Sequence, residues 1–387
     1  MGNELDLAGA EEMADPAVSA RRLRDLGRCP RYARFDPPFH IVSGYDDVCD
    51  VLRDPATFLS GHGQGPNFTP PVGLVSDPPM HTFFRELVQP WFQPRAIAAR
   101  EPRLRAIAEA LLDRVLAQPV WDVHDDLAFP LPVTVICEIF GIPTDDIDQF
   151  KRWSDASVAA LSSQHPQSYA ADVMAMQAYV GQRLQALRGA ADDGLLLWQV
   201  ANCRRDGAWL PIDEAVGLVL QLFVAGNETT TSLITNLVWR FLSEDGLWPA
   251  LVAGEIDLDR AINESLRFDP PLLGLFRTTS RTVTIGEVTV PAGTKIMTHY
   301  GAANRDATAF AEPDRFDPYR QGRKVLSFGL GIHVCLGMEL ARLEARVTLD
   351  CLRRRFPRLH KVDDGERIGP FLFWGRRHLP VAAGDAP

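Results

Sequence analysis

The ten residues from Phe328 to Gly337 (Phe-Gly-Leu-Gly-Ile-His-Val-Cys-Leu-Gly) hold three glycines and a single cysteine. Downstream, Leu340, Leu343 and Val347 recur at spacings of three and four, the pattern of a helix with one apolar face. Cys335 therefore stands at or just before a helix N-terminus. Free N–H groups and the helix dipole favour an anion there and bias a thiol towards thiolate. Glycines, lacking a Cβ, let the preceding backbone bend sharply and come close to a flat object. For Cys335 taken alone, a buried thiol acting as a small apolar group is the plainer reading. A thiolate on a tight loop against a flat ligand suggests a metal instead, and a planar macrocycle holding iron fits best. A dinucleotide-binding glycine motif does not fit, because Val334 stands where its third glycine belongs.

A second group of chemical residues breaks the longest helical pattern of the chain, Asp213 to about Leu242, which would span about 45 Å. Its middle reads Ala225-Gly226-Asn227-Glu228-Thr229-Thr230. A glycine inside a helix costs about 1 kcal/mol relative to alanine, and a buried acid costs more unless paired or useful. Either the helix opens locally here to admit a small ligand and a water chain, or the glycine serves a packing kink. Two further pairs share helix faces: His81 with Arg85, and Glu264 with Arg267. Taken alone, both are ordinary surface pairs.

Together these motifs resemble the cytochrome P450 family. Phe-Gly-x-Gly-x-His-x-Cys-x-Gly is similar to its haem-ligand loop, and Ala225 to Thr229 is similar to its oxygen-activation motif, with Glu228 where Asp is common. Asp77-Pro78-Pro79-Met80-His81-Thr82-Phe83-Phe84-Arg85 resembles a bacterial segment that neutralises haem propionates. The resemblance runs from about Tyr32 to Pro380. It implies a mainly α fold with a smaller β part (α+β), whose long central helix crosses over a buried haem b. Cys335 would be the axial iron ligand. Phe328, Gly329 and Gly337 would shape its loop, and His81, Arg85, Arg277 and His333 would contact the propionates. Glu264, Arg267 and Arg315 would form a buried structural triad. Ala225, Gly226, Glu228 and Thr229 would be catalytic: Gly226 leaves room for dioxygen, the Thr229 hydroxyl holds it, and Glu228 relays protons from solvent. Phe223, Val224, Leu273, Leu275, Phe371 and Leu372 would line a substrate pocket.

The elements that must position these residues are legible in outline. Asp15, Pro16 and Gly27 mark the cap, first turn and end of a helix. Tyr32 to Phe35 and His40 to Val42 read as a hairpin, and a helix runs from about Asp46 to Arg53. Phe58 to Val75, rich in glycine and proline, is a long loop. Asp77 caps the helix bearing His81 and Arg85. Helices follow from about Glu101 to Leu116 and around Val133 to Ile139. Two more from Asp155 to Ala191 join near Pro166 and correspond to a lid in the family. Short strands Thr282–Ile285, Val288–Val290 and Thr294–Thr298 precede the cysteine loop, and Phe371 to Trp374 reads as a late hairpin strand. No linker or repeat divides residues 1–387, so one domain is expected, with residues 1–14 disordered.

Composition is that of a soluble globular protein, 46% apolar and 23% charged. A formal net charge of −10 argues against a nucleic-acid binder. No apolar run reaches membrane-span length, no signal peptide is evident, and six scattered cysteines form neither a disulfide framework nor a zinc motif. A monomeric cytoplasmic protein is expected. The resemblance implies a monooxygenase that uses O2, a hydrophobic small molecule, and electrons from NAD(P)H through a ferredoxin or flavodoxin with its reductase. Arg95, Arg100, Arg103, Arg105, Arg323, Lys324, Arg342 and Arg346 could form the docking patch. A peroxide-driven peroxygenase of the same fold and a non-catalytic haem sensor or carrier are the alternatives.

Overall fold

A computed structural model describes residues 5–144 and 147–384. The central element is the unbroken helix Ile212–Ser243, 32 residues long. Leu218, Val219, Leu222, Leu233, Leu237 and Phe241 bury its apolar face in the largest hydrophobic core. Around it pack Pro130–Phe140, Ile147–Ser162, Ala170–Leu187, Leu258–Phe268 and Met338–Arg355. Gly141 ends the first of these in the left-handed region.

A five-stranded sheet lies to one side, in the order Arg31–Tyr32, Phe39–Val42, Lys295–His299, Gly274–Thr279, Phe58–Leu59. Only the Phe39–Val42 and Lys295–His299 pair is parallel. Short hairpins complete the β part, including Val283–Ile285 with Val288–Val290. The fold is thus mainly helical with a smaller sheet part, as the sequence implied. No helix among the described residues is long and apolar enough to cross a membrane.

Three local expectations need correction. Residues 5–14 are folded: Leu5 and Leu7 sit in a core with Leu23, Tyr32 and Phe39, and Ala10–Ala14 is helical. The expected disorder of residues 1–4 lies outside the described residues. Asp77 does not cap the helix Met80–Val88, whose N-cap is Pro79. Its carboxylate accepts instead from the Ser60 and Gly61 amides, at 2.8 and 3.0 Å, and so holds the start of the long loop. Phe371 and Leu372 form a turn closed by Phe373 N donating to the Pro370 carbonyl oxygen at 3.0 Å, with Phe373 bridged to Leu272; the strand pairing begins at Arg376. The backbone must reverse there, which an extended run of four residues cannot do.

Candidate active site

The cysteine loop is built by backbone geometry. Gly329 and Gly331 adopt φ of 66° and 71°, a region that favours glycine, and a Cβ on Gly331 would stand 2.4 Å from the Leu52 carbonyl oxygen. The Cys335 amide closes the loop on the Phe328 carbonyl oxygen at 2.8 Å. The helix Met338–Arg355 then starts with Gly337 as its cap. Cys335 lies deep within the protein mass, yet its surface is accessible, as are those of Ala225 and Thr229 in mid-helix. Such accessibility inside the molecule marks an internal space between the loop and the central helix. Burial pushes the Cys335 thiol up, against the Gly337 N–H and Arg85, which lower it. The helix terminus alone therefore does not make it a thiolate.

One wall of this region gathers two arginines and two histidines that form no ion pair among the described residues, with Asp77 the nearby acid that acts on His81 and Arg277. His81 is buried, and its ring centroid lies 4.3 Å from that of His333. Burial lowers the His81 pKa, and burial with Arg277 beside it takes His333 down to about 3, so both imidazoles are neutral, each with a single N–H. The Nε2 atoms of both rings have no hydrogen-bond partner. Arg277 is 3% exposed, and no carboxylate pairs with it among the described residues. Among the described residues its guanidinium makes one hydrogen bond, to the Phe276 carbonyl oxygen at 2.8 Å. Arg85 Nη1 donates to the Val334 carbonyl oxygen at 2.8 Å, on the cysteine loop itself. A Cβ on Gly337 would meet nothing within 4 Å. A buried guanidinium without an ion pair, two unpartnered ring nitrogens, an open glycine and an accessible sulfur suit a flat, dianionic, metal-bearing macrocycle, and haem b fits this set.

Across the space, Thr229 Oγ1 donates to the Ala225 carbonyl oxygen at 2.8 Å, one turn back in an intact helix. The expected local opening is absent: this hydrogen bond sits on an unbroken ladder. A Cβ on Gly226 would stand 3.4 Å from Ile136 Cδ1, so this glycine faces the helix Pro130–Phe140. Small Ala225, accessible beside Thr229, is what leaves room. Glu228 is buried, with Asn227 Nδ2 3.3 Å from its Oε1 and Ser154 also bonded to it. Burial, reinforced by Asp155, pushes its carboxyl up to about 7.

The Glu264–Arg267 pair is buried and bidentate, at 2.8 and 2.7 Å. The third arginine is not Arg315, whose side chain is 59% exposed and pairs with Glu312 and Asp317. Arg320 fills that place, with Nε 3.2 Å from Glu264 Oε1. Arg267 also binds the carbonyl oxygens of Asn304, Pro313 and Arg315. Asn304 in turn holds the Leu326 amide and Ser327 Oγ, directly before Phe328. The network thus frames the cysteine loop, a link that spacing in the sequence does not disclose. Of the expected pocket residues, Val224, Leu275 and Phe371 keep accessible surface and Leu273 little. Phe223 and Leu372 are sealed in cores, Phe223 against Phe150 at 5.3 Å between ring centroids.

Comparison with known proteins agrees with this architecture. Residues 258–371 match the family model for cytochrome P450. The chain is 38% identical over 359 residues to erythromycin C-12 hydroxylase of Saccharopolyspora erythraea, covering 89% of each chain. It is 36% identical to vitamin D(3) 25-hydroxylase of Pseudonocardia autotrophica, covering 89% of this chain and 86% of that one. A solved structure of a P450 EryK mutant in complex with erythromycin B superposes with a TM-score of 0.87 at 35% identity, covering 97% and 98% of the two chains. Identity sustained over nearly the whole length, on the same fold, leaves one conclusion: the chain belongs to the cytochrome P450 family and is a haem-b monooxygenase.

Proposed function

We propose that the chain inserts one oxygen atom of O2 into a hydrophobic small organic substrate, using electrons from NAD(P)H delivered by a separate ferredoxin or flavodoxin and its reductase. Haem b, when bound, supplies the oxidation itself. Cys335 would hold its iron, and His81, Arg85, Arg277 and His333 would face its propionates. The observation that carries the oxygenase reading is the pairing of Thr229 with Glu228. The Thr229 hydroxyl stands on the accessible side of the central helix beside Ala225. The next residue back is an acid whose pKa of about 7 suits proton transfer at neutral pH. A peroxide-driven enzyme has no need of that proton route, and a carrier has no need of either group.

Glu228 would take up protons from the side where Asp155 and Lys151 lie and pass them on, and Thr229 would offer its hydroxyl to the space beside Ala225. Thr229→Ala diverts electrons to hydrogen peroxide; unchanged coupling of NADH use to product would remove this role from Thr229. The relatives' names give erythromycin and vitamin D(3), which favours a bulky substrate here as well. A compound screen for the spin-state shift of the Soret band identifies its class.

For the electron donor, the thiolate side offers a cup of about 700 Å³ lined in part by Lys324, Arg342 and Arg346. Of the eight arginines and lysines expected there, Arg103, Arg105, Arg323 and Arg346 are paired with acids. Arg95, Arg100, Lys324 and Arg342 carry no ion pair among the described residues and remain the candidates for an acidic partner.

A further inference from the structure

Lys295 is 1% exposed and has no carboxylate partner among the described residues. A buried ammonium is costly unless its protons are taken up. Its Nζ donates to the carbonyl oxygens of His62 and Gly63, at 2.7 and 2.8 Å, and stands 4.9 Å from the Phe68 ring centroid. All three partners belong to the long loop between Phe58 and Val75. The same loop is tied to the sheet by Phe276 N donating to the Gln64 carbonyl oxygen at 3.0 Å. Its start is held by Asp77.

On its other side the loop meets the turn between Ile147–Ser162 and Ala170–Leu187. There Asn67 Nδ2 donates to the Ser163 carbonyl oxygen at 2.8 Å. A Cβ on Gly65 would stand 2.4 Å from the Leu161 carbonyl oxygen, so only glycine allows so close a seat. The two seams are unequal. Two charge-assisted bonds and an aromatic face hold the loop to the sheet, while one neutral side-chain bond holds it to the turn.

From this asymmetry we infer that Lys295 is a positioning residue that seats residues 62–69 on the sheet and so sets how readily the pocket mouth admits a ligand. The inference rests on reading this space as the substrate pocket. Arg277 on the neighbouring strand and His62 on the loop are the titratable groups facing Lys295; His40, on the other neighbouring strand, turns to the Cys29 carbonyl oxygen. Burial, with Arg277 adding to it, lowers Lys295 to about 8. The grip therefore weakens as the ammonium loses its proton above that pH.

Hydrogen exchange on the haem-loaded protein at pH 7, without substrate, tests the anchor directly. Lys295→Met speeds exchange at the Gly63 and Thr69 amides about tenfold, the scale of one lost charge-assisted bond. Asn67→Ala leaves that protection intact. Both variants take up 4-phenylimidazole, an apolar azole followed by its Soret shift, faster than the parent. The parent's uptake rate rises through pH 8, and that of Lys295→Met stays flat. Wild-type protection and uptake in Lys295→Met, or equal loosening of the loop by Asn67→Ala, would overturn the inference. Exchange is read without turnover, so a failure of the monooxygenase reading shows separately, as absent substrate oxidation with the exchange pattern unchanged.

Discussion

Two buried clusters of cationic side chains sit on either side of the cysteine loop, and they are finished differently. Around Glu264, the guanidinium groups of Arg267 and Arg320 meet a carboxylate and a set of backbone carbonyl oxygens. Around His333, the protein supplies Arg277, His81 and Arg85 with few acceptors and leaves two imidazole nitrogens unpartnered. Burial alone does not separate them, since Arg267 and Arg277 are 1% and 3% exposed. Satisfaction does. A closed network is a structural joint, whereas an open one is a socket shaped for charge that arrives from outside the chain.

The sharpest way to break this contrast is to delete one member of each cluster. Arg267→Ala leaves Glu264 buried without its main partner and should lower unfolding free energy by about 3–5 kcal/mol in denaturant titration, with or without haem. A loss below about 1 kcal/mol would mean that the joint is not structural.

Glu228 is an intermediate case, a buried acid with neutral donors and a like-charged neighbour. Its folded pKa is raised from 4.5 to about 7. Between those values the folded protein keeps a proton that the unfolded chain has released, so stability falls as pH rises through the window and is level on either side. Relative to Glu228→Gln, the wild type should lose on the order of 3 kcal/mol between pH 4.5 and 7. Equal pH profiles for the two proteins would count against the burial of a titrating acid there.

Arg277→Ala should give effects of opposite sign in the two forms of the protein. Haem transfer to an acceptor protein should accelerate by about 2 kcal/mol, roughly thirtyfold, if Arg277 is the propionate partner proposed above. The haem-free chain, relieved of an unpaired buried charge, melts no lower than its parent. Equal destabilisation of both forms would make this cluster a joint as well. Smallest of all, Arg315→Ala should change stability by less than about 0.5 kcal/mol, since its side chain lies on the surface.

The parts legible in the sequence were those with local signatures. The 32-residue helix follows from its periodicity, the cysteine loop from glycine spacing, and the Glu264–Arg267 pair from a three-residue interval. What escaped depended on which way a side chain turns. Arg315, Arg320 and Arg323 lie within nine residues of one another, and only the folded chain selects Arg320 to reach Glu264. Gly226 lies two residues from Glu228 in sequence, but its missing side chain faces Ile136. Asp77 has the sequence of a helix cap and spends its carboxylate on the loop behind it. Leu5 and Leu7 are too few to signal order, and they are buried because a ready-made apolar cluster receives them.

The joint around Glu264 grips main chain more than side chain: Arg267 and Arg320 between them take the carbonyl oxygens of Asn304, Ala311, Glu312, Pro313 and Arg315. Every residue type offers the same carbonyl. Over evolutionary time, several positions in this segment are therefore free to change identity while its path stays fixed, and the frame of the cysteine loop is inherited as a shape rather than as a spelling.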